Sequence, residues 1–299
     1  MFAAMLLCQV LLATAVFAIP TSKERFAQRL ARRAGGFNHQ STPRQGVESA
    51  PVDLEVNAHD NVSNTLYSTN WAGAVLSNST ATWTSITGTF VVPTPKEPDS
   101  ASGPHYATAW VGIDGYTCQT AILQTGVDFA VDGDNVGYYG EHHDYPAIPF
   151  VHLQGADRIL RAAAWYEWFP AYQYYFSDIS FKAGDTVEAT VTATSKTGGT
   201  ATITNKSTGQ TVSHTFSNQP SLCEYDAEWI VEDFTEVGVG LAPFANFGKV
   251  TFTGPTATTN SGSSVGPLGA TLLDIEQNGQ VLTNTSVDSS SVTVQYIGP

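Results

Sequence analysis

Acidic side chains crowd the stretch AEWIVEDF, residues 227–234, and carboxylates so close together can support acid–base chemistry. If this stretch is a β-strand, Glu228 and Glu232 share one face, whereas Trp229 and Val231 point to the other. Like charges on one face repel and shift each other's pKa, which favours a catalytic role. The alternative is an edge strand whose charges face solvent and prevent aggregation. The stretch alone leaves both interpretations open.

Four further stretches combine tryptophan or other aromatic residues with polar side chains that could line a site. YSTNWAGAVL contains Trp71, ATAWVGIDG contains Trp110 and Asp114, TAILQTGVDF contains Gln124, and AWYEWFP contains Glu167. Each has an ordinary explanation, since aromatic residues are common in β-cores and a strand glutamine is usually exposed. Five of the six tryptophans nevertheless lie beside polar groups. This pattern indicates a lined cleft.

The sequence lacks the motifs HExxH and CxxC, so a zinc-hydrolase interpretation has no signature, and no GxSxG nucleophile elbow between a strand and a helix is predicted. The run from Glu141 to Asp144, with His152 nearby, is interpreted as a solvated loop rather than a metal site. Two carboxylates in a tryptophan-lined groove also describe a glycoside hydrolase. A lectin-like module without catalysis is a third possibility.

The elements that must position these residues are short β-strands. Alternating segments rich in Thr, Ser and Val recur between turn clusters, at 80–92, 185–195, 200–205, 210–217 and 290–297. Many evenly spaced strands favour one all-β domain over residues 61–299, a sandwich of two antiparallel sheets of the jelly-roll, concanavalin-like kind. No repeat, coiled coil or second domain is predicted.

The N-terminal 60 residues differ from this body. Residues 1–18 form a short apolar run that ends Val16-Phe17-Ala18, which predicts a signal peptide and secretion. Residues 19–60 carry six of the 13 basic residues, whereas the rest of the chain keeps seven basic against 22 acidic ones. A basic leader on an acidic body predicts a pro-segment that is held by electrostatic attraction and could inhibit it. The alternative is a tail without a regulatory role.

The acidic composition also bears on partners and setting. A net charge of −14 disfavours nucleic acid as a partner and suits work in acid, where carboxylates become neutral. No apolar stretch is long enough to span a membrane, and we expect a monomer. After removal of the signal peptide two cysteines remain, which most simply form one disulfide bond in an oxidising compartment. Four Asn-X-Ser/Thr sequons are possible glycosylation sites: Asn61, Asn78, Asn205 and Asn284.

The order of several motifs resembles that of the glutamic peptidases, or eqolisins. WAGAV, AWVGIDG, TCQTAILQTGVDF, AWYEW, ATSKTGG and AEWIVEDF follow one another over about residues 67–297. The resemblance implies a β-sandwich, polypeptide substrates, an acid endopeptidase insensitive to pepstatin, a removable pro-segment, and no metal or other cofactor. This is the fungal, secreted class of peptidase.

Residue by residue, the resemblance makes Gln124 and Glu232 the catalytic pair, and Glu232 rather than Glu228 the acting glutamate. It places Trp71, Trp110, Asp114 and Glu167 in or beside the cleft as substrate-binding residues. It pairs Cys118 with Cys223. Glu228 becomes a neighbour that could tune the pKa of Glu232.

Two departures from the family pattern concern the cleft. Ala163 occupies the place where the resemblance leads us to expect a supporting aspartate. An insertion follows Gly137 and extends to about Leu160, which could reshape specificity or be a neutral surface loop.

The number of mature chains is a separate question, because family members can be cut into two chains during maturation. The matching segment here, residues 95–104, is short and has one basic residue, so a single mature chain is expected.

Overall fold

The computed structural model describes residues 39–47, 65–99, 101–132, 135–137 and 163–299. These residues form strands and connecting loops, with no helix among them, so none of the described segments is a helix that could cross a membrane. The predicted signal peptide, most of the pro-segment, Asn61, the His142–His143 cluster and the insertion lie outside the described residues.

The strands are numbered in chain order. The first eleven are β1 (His39–Gln40), β2 (Thr65–Ser68), β3 (Trp71–Ser77), β4 (Trp83–Val91), β5 (His105–Ile113), β6 (Ile122–Asp132), β7 (Asn135–Gly137), β8 (Ala163–Phe169), β9 (Tyr174–Tyr175), β10 (Thr186–Ser195) and β11 (Gly198–Asn205). The others are β12 (Gln210–Phe216), β13 (Asp226–Glu232), β14 (Thr235–Glu236), β15 (Gly240–Leu241), β16 (Lys249–Thr259), β17 (Ser264–Val265), β18 (Thr271–Gln277), β19 (Gln280–Val281), β20 (Thr283–Val287) and β21 (Ser291–Tyr296).

Two large sheets make a sandwich, as the alternating segments predict. An eight-stranded sheet has the order β12-β11-β10-β4-β16-β21-β20, with β17 beside β16. A ten-stranded sheet has the order β19-β18-β3-β13-β5-β6-β8-β9, with β2 and β7 at its margins. The pairing of the numbered strands is antiparallel, as predicted, except between β2 and β18, which run parallel.

The sandwich core lies between these sheets and receives every second side chain of their strands. Trp229 and Val231 of β13 point into it, as alternation predicts. The Trp229 indole N–H donates to the carbonyl oxygen of Thr87 in β4, 2.9 Å away. The opposite face of β13 is therefore free to carry Glu228 and Glu232.

A third, small sheet joins the leader to the body. In it β1 pairs antiparallel with β14, which also pairs with β15. Part of the predicted pro-segment is thus an integral strand of the described fold.

Candidate active site

The outer face of the ten-stranded sheet carries the candidate residues, and we call it the cleft face. Trp71, Trp110 and Trp165 lie there in a second apolar cluster, with Trp71 and Trp110 packed edge to face at 4.9 Å. Trp168 and Trp229 instead belong to the sandwich core. The predicted tryptophan lining therefore holds for three of the five residues.

Two glycines make room for Trp110 on this face. A Cβ atom at Gly112 would lie 2.7 Å from the Trp110 ring, and one at Gly126 would lie 2.4 Å from the Trp110 Cβ. Because both distances are below any normal contact, no larger residue fits at either position while the ring stays in place. The small residues of AWVGIDG and LQTGVDF thus have a packing role.

Gln124, Glu167 and Glu232 meet on the cleft face although they come from three strands. Gln124 of β6 pairs with Glu167 of β8, and Glu232 ends β13 opposite Trp71 of β3. All three side chains are fully buried. The structure therefore brings the predicted catalytic pair together with Glu167, one of the predicted substrate-binding residues.

The leader segment, residues 39–47, covers these three side chains. The Gln124 Nε2 donates to the carbonyl oxygen of Ser41 at 3.3 Å. The Ser41 N–H donates to Glu167 Oε2 at 3.2 Å, and the Thr42 N–H donates to Glu232 Oε1 at 3.2 Å. The site is therefore filled by main-chain groups of the protein's own leader.

Burial sets the protonation of both glutamates. It raises the pKa of Glu232 to about 8, and surrounding donors, including the Thr42 N–H and the Trp110 indole, oppose that shift. It also raises the pKa of Glu167 well above its usual value, opposed by the Ser41 N–H and reinforced by the negative charges of Glu232 and Asp128. Both groups are neutral at acidic pH while the leader covers them.

Glu228 lies on the same face but apart from the leader contacts. It pairs with Gly112 of β5, and neither of its carboxyl oxygens has a hydrogen-bond partner among the described residues. Burial raises the pKa of Glu228 well above the usual value, and the negative charges of Asp226 and Asp114 raise it further. The negative charge of Glu232 raises the pKa of Glu167, whereas the charges that act on Glu228 are those of Asp226 and Asp114. The tuning of the Glu232 pKa by Glu228 stays a prediction.

Asp114 has a structural role that the sequence did not reveal. Its two carboxyl oxygens accept hydrogen bonds from the backbone N–H groups of residues 223–226, at 2.8 to 3.3 Å. Burial raises its pKa to about 6. Since both oxygens are occupied, the structure does not bring Asp114 to the leader segment as a substrate-binding residue.

The disulfide bond implied by the resemblance is present. Cys118 and Cys223 are bonded, and they close a loop with a sequence separation of 105 residues. Cys223 directly follows Leu222 at the start of the segment that Asp114 binds, so the disulfide and the carboxylate fasten the same connection.

Two further polar residues contact the leader segment and were not assigned to the site from the sequence. Asp128 Oδ2 accepts hydrogen bonds from His39, Gln173 and Tyr175 at 2.9 to 3.1 Å. Asn70 Nδ2 donates to the carbonyl oxygens of Thr42 and Pro43, both at 3.2 Å. The signal for Asp128 was its position two alternations after Gln124, on the same face.

Ala163 lies directly opposite Asp128 across the β6–β8 pair and is buried. An aspartate there would face a second carboxylate, so its replacement by alanine leaves Asp128 with neutral neighbours and His39.

The sequons differ in their surroundings. Asn78 and Asn284 are exposed. Asn205 is buried, and its amide nitrogen donates to Ser180 and Asp185. The fold therefore leaves no space for a glycan on Asn205, in contrast to the expectation from its sequon.

Comparison with known proteins gives consistent matches along the chain. The Peptidase A4 family matches residues 69–159 and 150–296. Aspergillopepsin-2 of Aspergillus niger is 44% identical over an alignment of 305 positions that covers 96% of each chain. Scytalidopepsin B of Scytalidium lignicola is 36% identical over 279 residues, which cover 91% of this chain and 90% of the relative.

Solved structures extend the likeness to the fold. Scytalido-glutamic peptidase with a transition state analog inhibitor superposes with a TM-score of 0.63 at 38% identity, over 77% of this chain and 98% of the other. Aspergilloglutamic peptidase from Aspergillus niger superposes with a TM-score of 0.55 at 51% identity, over 64% of this chain and 99% of the other.

Proposed function

The chain belongs to the Peptidase A4 family, the glutamic peptidases, and from this premise we propose that it is a secreted acid endopeptidase that uses Glu232, Gln124 and an activated water molecule. The family membership argues against the glycoside hydrolase and the lectin-like module. The observation that carries the proposal is that Gln124 and Glu232 contact the carbonyl oxygen of Ser41 and the nitrogen of Thr42, the two sides of one peptide bond.

Gln124 is suited to stabilise the oxyanion. Its amide N–H already points at a peptide carbonyl oxygen, and it cannot titrate. As water adds to the carbonyl carbon, negative charge develops on that oxygen, and a donor in a buried site stabilises it without reorganisation. Loss of one such donor costs about 2.7 to 4 kcal/mol, or roughly a hundredfold to a thousandfold in rate.

Glu232 is suited to carry the proton. With the leader gone its carboxyl group meets water, so its pKa falls towards the ordinary value of about 4.3 and part of it is ionised in acid. It can then take a proton from the attacking water and return it to the departing nitrogen. Glu167, which binds the Ser41 N–H, would hold the substrate backbone in place.

The leader would keep the protein inactive by occupying the site. The contacts of its described residues, 39–47, are largely hydrogen bonds to uncharged groups. Arg44 illustrates this, since its guanidinium donates to the carbonyl oxygen of Tyr67 and lies 5.4 Å from the centre of the Tyr116 ring. The electrostatic attachment expected from the basic composition stays a prediction, because five of the six basic residues lie outside the described part of the chain. The apolar run at residues 1–18 and the disulfide bond support secretion.

Acid digestion of a denatured protein mixture with pepstatin present tests the function. The acid-treated protein should cut the mixture, and mass spectrometry should locate the cut sites. Glu232→Gln should abolish cutting, and Gln124→Ala should lower kcat by roughly a hundredfold or more. Glu228→Gln, a matched change on the same strand face, should retain activity. Normal proteolysis by folded Glu232→Gln protein would refute the assignment.

A further inference from the structure

One peptide bond of the leader is held by both residues of the proposed catalytic pair. Gln124 Nε2 lies 3.3 Å from the Ser41 carbonyl oxygen, and Glu232 Oε1 lies 3.2 Å from the Thr42 nitrogen. The Trp110 indole holds the other carboxyl oxygen of Glu232 at 2.9 Å. Within the described leader residues, the bond from Ser41 to Thr42 alone has this pair of contacts.

The chain before this bond is anchored to the body. His39 and Gln40 form β1 and pair with Glu236 and Thr235. The centre of the His39 ring lies 3.5 Å from that of Phe234 with the two rings tilted, and the His39 Nδ1 lies 3.0 Å from Asp128 Oδ2. The side chain of His39 is therefore seated in a buried pocket two residues before Ser41.

The chain after the bond is anchored as well. Asn70 binds the carbonyl oxygens of Thr42 and Pro43, and its Oδ1 accepts the Gln45 N–H at 2.9 Å. The Arg44 N–H donates to the carbonyl oxygen of Gly115 at 3.0 Å. Both halves are fixed, so the intervening bond is presented as a substrate would be, with the reacting groups already in contact.

We propose that the Ser41–Thr42 bond is the first bond that this protein cleaves, within its own chain, when the leader is removed. The proposal rests on the function proposed above. A water oxygen adds to the Ser41 carbonyl carbon while a water proton passes to Glu232. The C–N bond then breaks, Glu232 returns the proton to the Thr42 nitrogen, and the products are a Ser41 carboxyl group and a Thr42 amine.

The leader that covers Glu232 keeps the Ser41–Thr42 bond intact. The leader buries Glu232 completely, so the carboxyl group stays protonated and cannot act as a base. The cut requires a brief opening that admits water and lets Glu232 ionise. Because the bond and the catalytic groups belong to one chain, the reaction rate should not depend on protein concentration.

The test uses the purified full chain, moved from neutral pH to a pH near the ordinary glutamate value of about 4.3. Intact-mass measurement and labelling of new N-termini are followed over time at several protein concentrations. An added denatured protein reports general proteolysis in the same samples. The expected first products end at Ser41 and begin at Thr42, and the rate constant of their appearance is the same at every concentration.

Two substitutions at one position give a matched comparison. Thr42→Pro removes the N–H that Glu232 binds, and it should slow the appearance of the Ser41 terminus by roughly tenfold or more. Thr42→Ala keeps that N–H and should be cut at close to the rate of the unchanged chain. Equal cleavage of both variants would overturn the proposal.

The remaining outcomes distinguish failure of the Ser41–Thr42 proposal from failure of the proposed peptidase function. If the denatured protein is cut while the earliest new termini lie elsewhere in the chain, the Ser41–Thr42 assignment is wrong and the peptidase function stands. A rate that rises with protein concentration would overturn cleavage within one chain. If neither the added protein nor the leader is cut, the function and the proposal both fail.

Discussion

The indole Nε1–H of Trp110 donates a hydrogen bond to Glu232 Oε2 at 2.9 Å, in a site where both side chains are fully buried. Trp110 therefore holds one oxygen of the glutamate, while Thr42 N–H contacts the other. A hydrogen bond from a neutral donor favours the ionised carboxylate. Trp110 thus has two roles: it lines the cleft face, and it positions the carboxyl group of Glu232.

Trp110→Phe should shift the acid limb of the kcat/KM profile to higher pH. Phenylalanine keeps an aromatic ring but cannot donate, so the carboxylate loses stabilisation and the pKa of Glu232 in the leader-free enzyme rises. The base form then appears only at higher pH. A pH–rate profile of the acid-activated enzyme measures the shift.

Trp165→Phe is the matched control for this prediction. The Trp165 indole donates to the Thr108 hydroxyl at 3.0 Å and not to an acid, so its loss should leave the limb in place. Equal shifts in both variants would show that the effect comes from packing rather than from the hydrogen bond to Glu232.

Asn70→Ala should loosen the leader in the full chain. This change removes the contacts to the Thr42 and Pro43 carbonyl oxygens and to the Gln45 N–H. Hydrogen bonds of this kind contribute about 0.5 to 1.5 kcal/mol each. Trypsin cleavage after Arg44 at neutral pH, followed by mass spectrometry, should therefore become roughly tenfold faster or more.

Asn78→Ala provides the comparison, because Asn78 is exposed and only its backbone makes a described contact, with Tyr225. It should leave the trypsin rate unchanged. Raising the salt concentration should also change the rate little, since the leader contacts near Arg44 are to uncharged groups. Cleavage that is as slow in Asn70→Ala as in the unchanged chain would show that Asn70 does not hold the leader.

The β-strands of the sandwich and the polar and apolar faces of β13 could be predicted, because both depend on the local alternation of polar and apolar residues. The segments 185–195 and 210–217 match β10 and β12 within one or two residues. The same alternation places Glu232 on one face and Trp229 in the core. Such patterns need only the period of a strand and a buried side.

The leader and Asp114 could not be predicted in the same way. The contact between Thr42 and Glu232 joins residues 190 positions apart, and Asp114 binds amides 109 to 112 positions away. Their partners are backbone groups, which every residue has, so no residue type marks them in the sequence. The attachment by charge that the composition predicts stays a prediction, because most of the basic residues of the pro-segment lie outside the described residues.

Removing the disulfide bond should lower stability without removing activity at moderate temperature. The bond closes a loop with a sequence separation of 105 residues, and loss of such a bond costs about 2 to 4 kcal/mol. Urea unfolding of a Cys118→Ser, Cys223→Ser double variant should show a lower midpoint. The catalytic pair should persist because its strands are held by sheet pairing. Reductant should lower the midpoint of the unchanged chain and leave the double variant unaffected; an unchanged midpoint in the variant would contradict the prediction.

Glu228→Gln should stabilise the protein at neutral pH and have little effect in acid. Both carboxyl oxygens of Glu228 are buried without a hydrogen-bond partner among the described residues, and burial raises its pKa well above the usual value of 4.5. A group whose pKa is higher in the folded than in the unfolded protein binds more protons when folded. Stability therefore falls as pH rises above about 4.5 and continues to fall until the folded pKa is passed.

Glutamine has nearly the same shape and carries no charge, so it removes this pH-dependent cost, which is about 1.4 kcal/mol for each unit by which the pKa is raised. Thermal or urea unfolding of the full chain from pH 4 to pH 8 should show a shallower loss of stability in the variant. Glu232, Asp114 and Asp274, with pKa values raised by burial to about 8, 6 and 6, should still give a residual slope of the same sign. Glu188→Gln, at an exposed position paired with Lys206, should leave the pH dependence as it is. If Glu228→Gln instead lowers stability at neutral pH, the buried carboxyl group is ionised and paired there, and the assignment of a neutral Glu228 is wrong.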